Sequence, residues 1–239
     1  MCFSATASFT AAALLVPVGI ASIRSALAAA PCQGGGTARL ALAVTPLFFA
    51  LQQAIEGVVW LGVVQHPPAL FTDAATLAYL FFAYAFWPFW MPFAALRFTE
   101  ERATRQLRWV LRVLVGLGFV LGMVLWLPLL FAPGPLAPQL VQGSLHYRTG
   151  LVFADQRLND LGRAIYVAII CLPLLLAASR GLMIFAVGLL AAVALAEAVN
   201  GHAFTSVWCY FSAMLSGLIL WIVGTESDEA AARPASLTS

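Results

Sequence analysis

Lysine is absent from this chain; all twelve basic residues are arginine. With no lysine there is no amine for a retinal Schiff base, so a rhodopsin-like pigment is excluded. Charge is scarce, at 9% of residues against 62% hydrophobic. A soluble fold of that composition would lack the polar residues to cover its surface. The net charge of +2, with arginines scattered through short connections, excludes a nucleic-acid surface. Cysteine is confined to Cys2, Cys32, Cys171 and Cys209, with no CxxC pair and no disulfide-framework spacing. His66, His146 and His202 stand singly, without the HExxH or HxxxH spacing of a metallohydrolase. No cofactor is expected. The alternative is a soft-metal or thiol site from Cys2, Cys209 and His202.

What is present is apolar sequence in long runs. About 20 such residues suffice to cross a bilayer core as a helix. Runs fall at roughly 7–28, 40–64, 73–96, 108–131, 161–178, 182–200 and 203–224. They predict an all-α integral membrane bundle of seven transmembrane helices in one domain, 1–224, with a disordered polar tail, 225–239. The first run carries no positive charge ahead of its apolar core, since Arg24 follows it, and so reads as a retained helix rather than a signal peptide. The third is the most aromatic and contains Trp87, Pro88, Trp90 and Pro92. Proline there frees a backbone carbonyl and kinks the axis. The longest connection, Pro133 to Asp160, carries apolar Leu145, Leu151, Val152 and Phe153, which predicts that it folds back over the helix ends.

Arginine counts in alternate connections set an orientation. Arg24, Arg39, Arg97, Arg102, Arg105, Arg108 and Arg180 follow spans one, three and five, whereas Arg148 and Arg157 follow the even spans. The arginine-rich side is the cytoplasmic one. The amino terminus is then outside, the tail is cytoplasmic, and the location is a bacterial inner membrane.

That orientation gathers the unusual polar groups on the outer side. Glu56 sits about 12 Å below the outer end of span two. Thr45, Phe49, Gln52, Glu56 and Trp60 share one helical face, with Gln53 beside them. His202, Ser206 and Cys209 share a face of span seven, and His146 and Tyr147 lie in the long connection. These residues predict an outward-opening polar cavity lined by spans two, six and seven, capped by the long connection and centred on Glu56. A carboxyl at that depth is protonated, paired or in contact with water. The plainer reading makes Gln52, Gln53 and Glu56 hydrogen-bonding glue between helices, and Glu197 a residue that reaches the interface.

The opening Met1–Cys2–Phe3–Ser4–Ala5–Thr6–Ala7–Ser8–Phe9 resembles that of an uncharacterised bacterial family of small polytopic membrane proteins, a domain of unknown function. The likeness continues through Gln52–Gln53–Ala54–Ile55–Glu56–Gly57–Val58–Val59–Trp60 and Trp87–Pro88–Phe89–Trp90–Met91–Pro92. It returns at His146–Tyr147 and Ser206–Val207–Trp208–Cys209–Tyr210–Phe211. The resemblance implies an integral membrane protein and brings no activity or cofactor.

Three functions fit the sequence. The first is binding or transport of a small ligand, ion or proton around Glu56; the lack of an inverted repeat weakens its transport form. The second is an accessory subunit packed against a membrane-protein partner. The third is an intramembrane enzyme using Cys2 or Cys209 as a thiol, with His202 or His146 as base.

Overall fold

The structure, a computed structural model, describes residues 4–28, 36–65, 68–100, 103–131, 136, 138–141, 143–147, 156–177, 179–200 and 204–231. Its helices are α1 (Ala5–Ala28), α2 (Gly36–Ala43), α3 (Thr45–Gln65), α4 (Ala69–Leu80), α5 (Trp87–Thr99), α6 (Arg105–Trp126), α7 (Gln156–Leu176), α8 (Arg180–Asn200), α9 (Phe204–Leu215) and α10 (Leu218–Ala231). A π-helical turn, Phe81–Phe86, joins α4 to α5, and a 3₁₀ turn, Leu127–Phe131, ends α6. Strands β1 (Gln139–Val141) and β2 (Ser144–His146) form an antiparallel hairpin. Its turn contains Gly143 at φ 78°, a left-handed conformation that favours glycine.

Among the described residues, seven helices are long and apolar enough to span a membrane: Ala5–Ala28, Ala38–Gln65, Leu70–Thr99, Arg105–Phe131, Arg157–Leu176, Arg180–Ala198 and Val207–Thr225. Each coincides with one of the seven apolar runs. The fifth starts earlier than hydropathy suggests, because Arg157, Asp160 and Arg163 continue α7 at its polar end. At the other end of the chain α10 continues to Ala231, through the acidic Glu226, Asp228 and Glu229. Residues 232–239 lie outside the described set.

Packing follows from what each helix can bury. α1 lies along α3, α5 contacts α2, α6 and α7, and α8 pairs with α7 and α9. Helix α6 is peripheral; its buried residues are Leu111, Gly118 and Gly122. The two glycines form a GxxxG pair, which lets helix backbones approach closely. A Cβ at Gly118 would collide with the Pro88 carbonyl oxygen, and one at Gly122 would stand 2.8 Å from the Ala85 backbone.

The π turn has a cause in the same stretch. A proline inside an α-helix clashes with the carbonyl four residues earlier and offers no N–H. Ahead of Pro88 the helix widens, and the Trp87 N–H bonds to the Phe82 carbonyl, five residues back. The Ala83 carbonyl thereby loses Trp87, and its next partner along a π-helix would be Pro88, which has no proton to give. The Tyr166 hydroxyl of α7 donates to that carbonyl instead. Span three is therefore kinked by its own sequence and held there by another helix.

Candidate functional site

The face of α3 read from the sequence is buried along its whole length. Thr45, Phe49, Gln52, Gln53, Glu56 and Trp60 are each at most 5% exposed. Their partners come chiefly from the kinked third span. Thr45 Oγ1 accepts from Trp90 Nε1 at 3.0 Å, and Gln52 Oε1 accepts from Trp87 Nε1 at 2.7 Å. Phe49 stacks on Trp87, with ring centroids 3.8 Å apart. The π turn and Pro88 present both indoles to α3, so the helix-glue reading describes Thr45 and the Gln52 oxygen well.

Toward Glu56 the chemistry changes. The Glu56 carboxyl lies within electrostatic reach of Tyr79 on α4, Tyr147 after β2 and Cys209 on α9. The Cys209 thiol sits beside the Tyr79 hydroxyl and the Gln52 amide. Tyr79 and Tyr147 stack with centroids 4.9 Å apart. Trp60, Tyr79, Tyr84, Leu145, Tyr147 and Cys209 belong to one buried cluster. The hairpin folds back at Leu145, as expected, and inserts Tyr147 beside it; Leu151, Val152 and Phe153 lie outside the described residues. Alternation along the strand turns His146 away from that face, and it is half-buried. Burial first, and then the nearby Glu56 carboxyl, push the Tyr147 phenol well above its ordinary value of 10.0.

Among the described residues the cluster is buried. Its polar groups are packed against one another, in place of the outward-opening cavity expected from the sequence, and its third wall comes from span three rather than span six. Span six turns its acid elsewhere: Glu197 pairs with Arg163 of α7, so a neighbouring arginine holds the carboxylate at the helix end. Beside the cluster, a void of about 20 Å³ lies between Cys209, Ser212, Phe49, Trp87, Tyr166 and Leu189. That is room for one water in mostly apolar surroundings.

Some buried groups have no hydrogen-bond partner among the described residues. They include both amide atoms of Gln53, Trp60 Nε1, Thr76 Oγ1 and the Tyr147 hydroxyl. Gln53 and Trp60 stand one turn either side of Glu56, on its own helix. Cys2, His66 and His202 lie outside the described residues. Ser206 is in α9, and its side chain is outside the described set too. Among the described residues no three of His, Cys, Asp and Glu are placed to hold a metal.

Tyr79, Tyr84 and Tyr166 were not singled out from the sequence. For Tyr166 the signal was indirect, since Pro88 announces an orphaned carbonyl without saying which helix supplies the proton. Tyr79 and Tyr84 had none, because tyrosine in an aromatic span reads as packing.

Seven membrane-length helices around a buried centre of acid, amide, phenol and thiol define an all-α, multi-pass membrane protein. The chain belongs to a family of unknown function, DUF6629, which it matches over residues 1–235. No curated protein and no solved structure matches it.

Proposed function

We propose that this protein binds a small polar ligand, an ion or a proton at the Glu56 cluster, in a bacterial inner membrane with its amino terminus outside. The observation that carries the reading is Gln53, 0% exposed with neither amide atom partnered among the described residues. An unmet amide in a low-dielectric interior is costly, and such groups call for an ordered water or a bound molecule. The unmet groups on the Glu56 face of α3 and at Tyr147 are chiefly donors: Trp60, Tyr147 and the Gln53 amide nitrogen. That arrangement suits proton exchange through water, or an occupant rich in acceptor atoms. The hairpin bearing Tyr147 closes the site, so access requires it to lift.

The test is Glu56→Gln in purified, reconstituted protein. The variant should keep its elution profile and thermal stability. It should lose the proton uptake that a pH-sensitive dye records after a pH jump, or lose a small-molecule mass retained by the wild type in native mass spectrometry. If it matches the wild type in both, and Glu56→Leu is more stable with no other change, Glu56 is only a strut between helices.

A further inference from the structure

Helix α6 carries a second feature, on the face it leaves exposed. Arg105, Gln106, Trp109, Val110 and Arg112 line one groove near its start. Trp109 is 66% exposed, and Arg105 and Arg112 are exposed as well. Neither arginine forms an ion pair among the described residues. A second, wholly apolar groove is lined by Phe119, Val120, Met123, Val124, Leu127 and Phe131. At 100° per residue, Arg105, Trp109, Arg112, Val120, Met123 and Leu127 fall on one face of the helix. Between the two grooves that same face holds Gly116, where an added Cβ would meet nothing within 4 Å.

We infer that this face binds an anionic phospholipid, with its phosphate between Arg105 and Arg112 and one acyl chain laid over Gly116 toward Met123. Arg112 to Met123 spans about 16 Å of helix, close to half of a bilayer's apolar core. The head of the site is cationic, its middle is bare backbone and its end is apolar, in the order in which a lipid presents its own parts. A guanidinium at the edge of an apolar span needs an anion, and arginine grips phosphate with two parallel hydrogen bonds. Trp109 is placed as interfacial tryptophans are, with an apolar ring and a polar edge at headgroup level. Basic residues at this depth favour anionic lipid by about fivefold each.

The experiment is native mass spectrometry of the full chain, titrated with phosphatidylglycerol or with phosphatidylcholine of the same acyl chains. Wild type should retain the anionic lipid preferentially. Arg105→Gln and Arg112→Gln should each cut that preference about fivefold, and the double variant should bind both lipids alike. Arg24→Gln with Arg180→Gln, away from the groove, should leave it unchanged. Equal binding of the two lipids by wild type overturns the inference, as does an unaltered preference in the double variant. Full displacement by millimolar inorganic phosphate overturns it too, since the acyl groove would then contribute nothing.

Discussion

At the residue scale, the informative groups are those whose chemistry is unmet. A buried polar atom without a partner costs about 1–3 kcal/mol. Gln53→Met removes two such atoms at similar volume. In ligand-free protein it should therefore raise stability by about 1–3 kcal/mol, read as a higher midpoint on thermal unfolding in detergent, while abolishing occupancy of the Glu56 site. A fall in stability would mean that Gln53 already has its partners. Tyr147 makes a separate prediction through pH. Its folded-state value lies above the ordinary 10.0, so the folded protein keeps a proton that the unfolded chain releases. The stabilisation is thus complete below about pH 10 and is lost as pH rises beyond it. Wild type should unfold progressively more easily between pH 10 and 11, and Tyr147→Phe should flatten that decline. Parallel curves for the two proteins would remove Tyr147 from the account. Glu56, Gln52, Gln53 and Trp60 were legible as one face because helical spacing alone aligns them. Tyr147 was legible as part of a connection too apolar to sit in water. His146 was not separable from it, because strand alternation appears only once the hairpin and its turn at Gly143 are fixed.

At the scale of elements, the seven spans were legible from hydropathy and their joinery only in part. Hydropathy measures how apolar a segment is and says nothing of which neighbour it meets. Gly118 and Gly122 were not singled out from the sequence, and their partner is a backbone displaced by the π turn before Pro88. The close approach predicts a large effect from a small change. Gly118→Ala puts a methyl group against the Pro88 carbonyl, so α6 must move away from α5. We expect severe loss of stability or of folded yield, whereas Gly116→Ala, in open space, should change the thermal midpoint by less than a degree or two. Comparable behaviour of the two alanine variants would contradict the packing. Tyr166→Phe strips the Ala83 carbonyl of its donor and should cost about 1–2 kcal/mol, near the upper end for interhelical hydrogen bonds in membranes. Thermal unfolding of the purified variant measures it.

At the scale of the whole molecule, the arrangement of arginine predicts which way the bundle sits. Seven crossings with the arginine-rich connections in the cytoplasm place residue 239 inside. A reporter that is active only in the cytoplasm, fused after Ser239, should be active, and one that works only outside should be silent. The opposite pair of results would invert the bundle and carry the α6 groove to the outer leaflet. The unread part of the candidate site lay at this scale too. Span six was assigned to the cavity from the level of its polar residues along the helix, but level does not say which way a side chain turns around its axis. Arg163, near the start of α7, pairs with Glu197, and the wall expected from span six is supplied by Tyr79 and Tyr84 of span three.

The bond from Tyr166 to Ala83 constrains how such a machine could work. A hinge in a spanning helix is often free to flex, since its broken ladder leaves backbone atoms with alternatives. Here the spare acceptor is met from a different span, which ties spans three and five together at the bend. If the Glu56 site takes an occupant, a rearrangement that keeps this bond moves what borders it: the hairpin, span two or span seven.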